Sequence, residues 1–426
     1  MDLNRLSDLK KKIFFTIFIL LIYRVGTFVP IPGVDADVVK NFFEGTAGNV
    51  FSMINLFSGG ALERMSVFAL NIMPYITASI IMQLASSIYK SLENLKKEGE
   101  SGRAKINQYT RYLTIILAFF QSIGVYYALS SDGNNAFISD SKIFMLTTTV
   151  SLVGGTVILM WFGERITSSG FGNGISLIIF VGIISSLPSS MVQIFDLSRT
   201  GAYPIFVALL IFIFFVALLF FVCFIEKTIR KIKIQYPNAN MMRASGMADS
   251  SFLPIKINMS GVIPPIFASS ILMFPVALVQ FTSVDGDLIS SLLRRGGLLY
   301  MIIFSSLIMF FCYFYSSITF NSKDVAENLK KSNCFILGIR PGNDTATYID
   351  KIISRLTFAG SLYLIFVCLF PEYFVTKYSI PFYIGGTGIL IIVNVIMDLI
   401  SQIQSHLIAD KYTSGSTMKK RRVRIR

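Results

Sequence analysis

The chain consists of long apolar runs separated by shorter polar segments. Ten of these runs are each close to 20 residues long and carry few charged side chains. A helix that crosses the hydrocarbon core of a bilayer, about 30 Å thick, needs about 20 residues at a rise of about 1.5 Å per residue. Backbone groups in lipid must be hydrogen-bonded within the segment, so each run predicts a helix. The runs are 13–29, 65–88, 109–129, 143–163, 174–191, 203–225, 260–281, 297–318, 352–370 and 388–409.

Two of these runs contain nearly the same proline-containing stretch. The second run includes NIMPYITAS (71–79), and the seventh includes GVIPPIFAS (261–269). A proline, small residues and polar side chains in the middle of an apolar run favour helices that bend and pack closely around something central. The matching positions are Pro74 and Pro264, Ile76 and Ile266, Ala78 and Ala268, and Ser79 and Ser269.

A second pair of breaks becomes visible when the runs are divided into five and five. The fifth run begins with GNGIS (172–176), and the tenth begins with GGTGI (385–389). Interrupted segments at corresponding positions of inverted repeats indicate a pathway at the interface between the repeats. The alternative explanation is that proline and glycine are simply common in membrane helices. Two pairs at matching positions favour the repeat.

An odd number of spans in the first half turns the second half upside down in the membrane. We therefore predict an all-α polytopic membrane protein with ten transmembrane helices in two inverted five-helix halves around a central pore. Its parts are an N-terminal half at 1–191, a C-terminal half at 192–409 and a basic tail at 410–426.

Composition and charge support a membrane protein and predict its orientation. Hydrophobic residues make up 53% of the chain and charged residues 15%, whereas a soluble domain has about 25% charged residues. The polar segments alternate in charge: one set, which includes both termini, holds 28 of the 38 lysines and arginines, and the opposite set holds 7. Because basic residues accumulate on the cytoplasmic side, we expect both termini in the cytoplasm of a cell-membrane protein.

The runs contain few groups that could do chemistry. Arg24 lies near the end of the first run, where its side chain is expected to snorkel to the interface. Asp398 is the only carboxylate well inside the tenth run, and we interpret it as structural rather than as a proton relay. The single histidine, His406, has no companion ligand at metal-site spacing. We expect no catalytic residues, no metal and no cofactor. An ion-coupled secondary transporter with inverted repeats is the alternative, although such proteins place ionisable groups at mid-membrane.

Seven stretches along the chain indicate a particular family more specifically than the hydropathy pattern does. They are YRVGTFVPIPGVD (23–35), the long segment NLFSGGALERMSVFALNIMPYITASIIMQL (55–84), KKEGESGRAKINQYTRY (96–112), GNGIS (172–176), LPIKINMSGVIPPIFASS (253–270), NLKKSNCFILGIRPGNDTATYIDK (328–351) and PFYIGGTGILIIVNVIMD (381–398). Together they resemble the SecY family, the central channel subunits of the bacterial Sec protein translocase. The resemblance extends from Leu9 to Tyr412.

The resemblance implies an hourglass pore with an aliphatic waist. Carried over position by position, the pore ring is Ile72, Ile76, Ile175, Ile179, Ile266 and Ile391. The family's short plug helix corresponds to about 51–64, with Phe57, Ser58, Gly59, Gly60, Ala61 and Leu62 at its centre. A lateral gate to lipid would lie between the second and third and the seventh and eighth spans. Thr77 and Gln121 match polar gate positions, and ordinary interhelical hydrogen bonds explain these two residues equally well.

The resemblance also implies partners. The loops 226–259 and 319–351 would contact SecA and the ribosome, with Arg243 and Arg340 at matching positions. The first loop keeps only Arg243 of the family's arginine pair, because Ala244 replaces the other. SecE would clamp the two halves together, and SecG would be a further subunit of the complex. The tail KKRRVRIR (419–426) either supplies ribosomal RNA contacts that this loop lacks or binds anionic lipid.

The implied function is a passive protein-conducting channel rather than an enzyme. It would translocate unfolded preproteins, driven by SecA or the ribosome, and release apolar segments such as signal sequences sideways into membrane lipids. An aliphatic constriction suits this task, because it stops ions by dewetting and forms no specific bonds with a passing chain.

Overall fold

The structure, a computed structural model of the chain, describes residues 3–34, 39, 55, 58–130, 141–200, 204–235, 252–281, 297–377 and 385–423. Within these residues the chain forms twelve helices and three strands. The helices are α1 (Leu3–Gly26), α2 (Met73–Ile88), α3 (Lys90–Lys97), α4 (Glu100–Ser130), α5 (Ser141–Ser169), α6 (Gly174–Arg199), α7 (Ile205–Lys227), α8 (Ile263–Phe281), α9 (Leu298–Thr319), α10 (Ser322–Lys331), α11 (Asn343–Lys377) and α12 (Gly386–Val423). The strands are β1 (Ile229–Gln235), β2 (Phe252–Lys256) and β3 (Phe335–Ile336).

Long apolar helices dominate the described residues. Six of them are long and apolar enough to cross a membrane, and two shorter apolar helices accompany them. Large apolar side chains remain on the outside: on α7, Phe206, Phe220 and Phe224 are all more than 60% exposed. A soluble protein would bury such a surface, so these helices are suited to lipid. The six spans are Lys142–Ser169, Gly174–Val192, Ile205–Lys227, Leu298–Lys331, Asn343–Phe374 and Gly386–His406; the shorter helices are Met73–Ile88 and Ile263–Leu272.

The second predicted run is wrong as a continuous helix. Residues 59–72 form turns, and α2 begins only at Met73. Met65 and Asn71 adopt positive φ angles of 41° and 50°, which end any right-handed helix at those points. Each of the other nine runs lies within a single helix, apart from up to three residues at some ends, and several of these helices extend well beyond the run. The segment 65–72 is apolar because it is buried, and it is not helical.

The proline-containing stretches have matching backbones. Asn71 lies three residues before Pro74 and has φ of 50°, and Gly261 lies three residues before Pro264 and has φ of 62°. In both stretches a left-handed residue turns the chain just before an apolar helix begins. Proline is well tolerated there, because the first turn of a helix has no partner for its backbone N–H groups. The sequence repeat is therefore also a repeat of local conformation.

The two glycine-containing breaks match as well. Gly174 begins α6 at a point where a Cβ would overlap the backbone oxygen of Gly163 on α5. Gly386 begins α12, where a Cβ would overlap the backbone oxygen of Val367 on α11. Each glycine lets the start of one helix lie directly on the backbone of the helix before it.

The helices pack in the same order in the two parts of the chain. In the first part α2 packs on α4, α4 on α5, α5 on α6, and α1 on α6. In the second part α8 packs on α9, α9 on α11, α11 on α12, and α7 on α12. The parts meet along two seams: α6 contacts α7 and α12 on one side, and α8 contacts α2 and α4 on the other.

A small sheet joins the two long polar segments of the second part. β1 pairs antiparallel with β2, with Ile232 opposite Leu253, and antiparallel with β3, with Ile234 opposite Ile336. One face of this sheet buries isoleucines against α11. The sequence predicted these segments as loops 226–259 and 319–351, so the sheet is an addition that ties one to the other.

Candidate functional site

The six isoleucines predicted to form a pore ring lie in one apolar cluster. Three of them, Ile72, Ile179 and Ile391, are buried, with 2%, 7% and 2% of their surface exposed. The other three, Ile76, Ile175 and Ile266, are partly buried and pack against the same cluster. We call these six residues the isoleucine cluster. Five of them lie on α2, α6, α8 and α12, the four helices that begin at the sequence breaks, and Ile72 directly precedes α2. Both parts of the chain therefore contribute to it.

The start of α6 is fixed by a side-chain cap. Asn173 Oδ1 accepts hydrogen bonds from the backbone N–H groups of Ile175 at 3.2 Å and Ser176 at 3.5 Å. Such a cap satisfies N–H groups that the first turn leaves free, and asparagine is among the best residues for it. It places Ile175 and Ile179 one turn apart on the helix face that joins the cluster.

The described part of the predicted plug is a compact turn that is held by its own polar groups. Ser58 Oγ donates to the carbonyl oxygen of Asn55 at 3.0 Å and accepts from the Leu62 N–H at 3.3 Å. The Asn55 amide also exchanges two 3.1 Å hydrogen bonds with Glu63. Gly59 and Gly60 both have positive φ, and Ala61 and Leu62 are buried. Asn55 and Ser58 are helical, residues 59–64 form turns instead of the predicted helix, and Phe57 lies outside the described residues.

This turn, residues 58–64, packs directly beside the isoleucine cluster. A Cβ on Gly59 would lie 2.7 Å from the Gly182 carbonyl oxygen and 2.6 Å from Ser185 Oγ. Gly182 and Ser185 belong to the turns of α6 that follow Ile179. The 58–64 turn therefore covers one side of the cluster.

Arg24 holds this turn, which sequence reasoning did not predict. Its Nη1 donates to the Gly59 carbonyl oxygen at 3.1 Å and to Thr27 Oγ1 at 3.2 Å. The guanidinium also lies 5.0 Å from the centre of the Phe28 ring, and the Arg64 guanidinium lies 4.3 Å from that same ring. The side chain of Arg24, which was expected to snorkel to the interface, is half-buried against the turn.

The two predicted gate residues lie on helices at the α8 seam. Thr77 is on α2, and its hydroxyl donates to the Met73 carbonyl oxygen of its own helix at 3.1 Å. Gln121 is half-buried on α4. The α2 and α4 helices are the two helices of the first part that contact α8. Neither residue is assigned a role by these contacts.

Arg340 is exposed on a loop whose backbone is held in place by contacts of neighbouring residues. Ile339 packs on the apolar side of the small sheet, and Thr345 Oγ1 donates to the Arg340 carbonyl oxygen at 2.8 Å. Gly338 and Gly342, with φ of 80° and 112°, turn the chain on either side. The backbone at Arg340 is thus fixed and its side chain is free to reach outward. Arg243, the other predicted contact, lies outside the described residues.

An ion pair lies in an open cleft next to the cluster. Arg111 Nε on α4 is 2.6 Å from Glu164 Oε1 on α5, and both side chains are partly exposed. The cleft has a volume of about 620 Å³ and also reaches Tyr75 and Ile175. An ion pair this exposed contributes at most about 1 kcal/mol to stability, so we regard it as a helix-positioning contact.

A sequence profile of the SecY family matches residues 66–400. Relatives named Protein translocase subunit SecY from Vibrio cholerae and Escherichia coli strain K12 are 47% and 46% identical over 417 residues, which is 96% of this chain and 94% of each relative. A relative of the same name from Rickettsia typhi is 48% identical over 412 residues, which is 95% of each chain.

Solved structures share the fold at lower identity. One is described as the structure of a protein conducting channel; it has a TM-score of 0.70 and 18% identity, and the match covers 94% of this chain and 93% of that one. Another is Sec61 in the canine ribosome–channel complex from the endoplasmic reticulum, with a TM-score of 0.65, 18% identity and the same coverage.

Proposed function

Because the chain belongs to the SecY family, we propose that it is a protein-conducting channel that moves unfolded preproteins across the cell membrane. The observation that carries this proposal is the isoleucine cluster, which both parts of the chain build from the starts of four helices. A channel for chains of any sequence needs a constriction that binds none of them, and aliphatic side chains meet that need.

We propose ten membrane-spanning helices in two inverted halves, 1–191 and 192–409. Six helices qualify by length and apolarity alone, and α1, α2, α4 and α8 would complete the ten. The matching backbone at Asn71 and Gly261 and the matching order of helix packing support the repeat. The excess of basic residues in one set of segments supports cytoplasmic termini.

The isoleucine cluster would be the waist of the pore. Placing an Asp, Lys or Arg at the bilayer centre costs about 2.5–3.5 kcal/mol, so a hydrated path is required for a polar chain. The aliphatic side chains would close that path to ions at rest by excluding water. A passing chain would part them without breaking any specific bond.

The 58–64 turn would be part of the plug. It lies against α6 just beyond Ile179, and Arg24 holds it through a backbone carbonyl. Hydrogen bonds from one arginine are strong enough to favour the closed position and weak enough to be lost when a chain enters.

The seam between α8 and the pair α2 and α4 would be the lateral gate. An apolar signal sequence of about ten residues gains roughly 3–6 kcal/mol on entering lipid, at about 0.3–0.6 kcal/mol for each leucine-like residue. This gain drives release without catalysis. Thr77 and Gln121 would lie at this gate.

The driving partners would be SecA and the ribosome. The sheet and the exposed Arg340 form a fixed surface on the side predicted to be cytoplasmic. A related channel in the canine complex is bound to a ribosome, which supports such contacts here. SecE and SecG would complete the channel, and the tail at 410–426 would add positive charge for RNA or anionic lipid.

Reconstitution tests the proposal. The chain is purified with SecE, placed in proteoliposomes, and given SecA, ATP and a preprotein with a functional signal sequence. We expect ATP-dependent protection of the preprotein from added protease. If the intact complex protects no more than protein-free liposomes do, the proposed function is wrong.

A further inference from the structure

A buried polar contact lies where the chain passes from the small sheet into α8. Asn258, 4% exposed, donates from Nδ2 to Glu226 Oε1 at 2.7 Å and to the Gly261 carbonyl oxygen at 3.1 Å. Glu226, 8% exposed, is in the last turn of α7. Ser260 Oγ donates to Asn258 Oδ1 at 3.3 Å. We call these four residues the Asn258 bridge.

The chemistry makes the bridge strong. The two hydrogens of one amide nitrogen go to two acceptors, and the amide oxygen accepts from a hydroxyl, so the side chain is satisfied at both ends. The 2.7 Å distance to the carboxylate is typical of a charge-assisted hydrogen bond. Away from water, a contact of this kind is costly to break because the Asn258 amide would be left unpaired.

The location gives the bridge a mechanical role. Ile257 N–H donates to the Thr228 carbonyl oxygen at 3.4 Å, which continues the pairing of β1 with β2 up to the bridge. On the other side of the bridge, Gly261 turns the chain into α8, and Ile266 of the isoleucine cluster follows in the first turn. Gly261 is held at its carbonyl by Asn258 and faces Asn394 of α12, whose Nδ2 would be 3.5 Å from an added Cβ.

The first part of the chain has apolar side chains at the two positions that correspond to Asn258 and Ser260. Where the repeat places Gly261 opposite Asn71, Asn258 falls opposite Phe68 and Ser260 opposite Leu70. Phe68 is buried in the apolar cluster that contains Ile72. The amide of Asn258 and the hydroxyl of Ser260 therefore have no counterpart at the corresponding positions of the first part.

We propose that Asn258 is a positioning residue for the closed channel. By holding the Gly261 carbonyl against Glu226, it sets the start of α8 and therefore the place of Ile266 in the waist. A displacement of the sheet is transmitted to the start of α8 through this contact. The proposal rests on the proposed function and adds to it a residue through which the cytoplasmic surface acts on the pore.

The test compares Asn258→Asp with two controls in complexes that contain SecE. Asn258→Asp keeps the shape of the side chain but replaces its donors with acceptors that face Glu226. Ser260→Ala removes one hydroxyl and leaves both donor contacts, and Glu226→Gln keeps an acceptor oxygen. Ion conductance in planar bilayers and import of a preprotein with a defective signal sequence are measured, because a purely structural defect would lower import and would not raise either quantity.

We expect Asn258→Asp to raise resting conductance and import of the defective preprotein about tenfold, the shift expected from the loss of one charge-assisted hydrogen bond. Ser260→Ala should stay within about twofold of the unmodified chain, because it keeps both Asn258 donor contacts. Glu226→Gln keeps an acceptor oxygen but loses the charge, so it should raise both quantities less than Asn258→Asp does. If Asn258→Asp does not assemble with SecE, Asn258→Ser is measured with the same expectation. If the Asn258 variant shows the same import of the defective preprotein and the same resting conductance as the unmodified chain, the positioning role alone is overturned. Absence of import in the unmodified chain overturns the proposed function instead.

Discussion

Asn71 and Gly261 both adopt left-handed backbone, at φ of 50° and 62°, three residues before the proline that opens an apolar helix. One is an asparagine and the other a glycine, the two residue types that occupy this conformation at least cost. The two positions lie in stretches that resemble each other along the sequence. A shared backbone requirement therefore explains why these stretches tolerate different residues at their first position and keep proline at their fourth.

This backbone requirement predicts that two substitutions at Asn71 differ in their cost to stability. Asn71→Val should destabilise by about 1–3 kcal/mol more than Asn71→Gly, because both remove the buried Asn71 side chain and only the β-branched residue is strained at positive φ. Thermal unfolding of the purified complex measures both. Gly261→Asn and Gly261→Val provide the matched pair in the second half. Equal losses for Val and Gly at Asn71 would mean that the backbone conformation does not set the cost.

Adjacent glycines on α5 give a second comparison. A Cβ on Gly155 would overlap the Val67 carbonyl oxygen, while a Cβ on Gly154 has nothing within 4 Å. We expect Gly155→Ala to destabilise by about 1–3 kcal/mol, because the buried 65–72 segment must move away from α5. Gly154→Ala should be neutral or slightly stabilising, since alanine favours a helix over glycine. The midpoint of thermal unfolding distinguishes them, and equal midpoints would contradict the close approach.

Sequence patterns predicted most helices because the membrane sets their length. Nine runs became nine helices, since an apolar segment in lipid has no other way to satisfy its backbone. The same pattern failed at 65–72, because apolarity reports burial and does not distinguish a helix from a buried turn. It also missed the sheet, because β3 is two residues long and pairs with a strand about a hundred residues earlier. Pairing at that separation leaves no local signal.

The candidate site was predicted unevenly for a similar reason. Residue-level repetition identified Ile76 and Ile266 as partners and gave Ile179 and Ile391 a reason to converge with them, and the family resemblance assigned them to one ring. Arg24 was missed because its partner is the backbone carbonyl of Gly59, and a carbonyl is present at every residue. Buried contacts to backbone are the part of a site that residue types alone do not reveal.

Arg24 should control the resting position of the plug. Arg24→Met removes the hydrogen bond to the Gly59 carbonyl oxygen while keeping a long apolar stem. The free energy that holds the 58–64 turn in its closed position should therefore fall by about 1–2 kcal/mol. Import of a preprotein with a defective signal sequence should rise as a result. Arg24→Lys is the control, because it keeps the charge and a donor and should give a smaller increase. Import unchanged in both variants would mean that Arg24 does not hold the plug.

Arg340 should affect SecA-driven import and not the assembly of the channel. Arg340→Glu reverses an exposed charge on a loop whose backbone is fixed by Thr345, so the fold should survive. We expect SecA- and ATP-dependent import to fall about tenfold, which corresponds to about 1.4 kcal/mol of lost contact. The resting conductance of the same preparation serves as the control and should be unchanged. Normal import by Arg340→Glu would remove the proposed SecA contact.

The central claim is that the isoleucine cluster is the waist that closes the pore. It is tested most directly by single-channel conductance in planar bilayers after Ile76→Asn together with Ile266→Asn. The control is Ile302→Ser, which changes an isoleucine that is 53% exposed on α9. A polar side chain in the waist would let water enter, so the account predicts a frequent ion-conducting state in the double variant and none in the control. Resting conductance equal to that of the unmodified channel, in a double variant that still assembles with SecE, would contradict it.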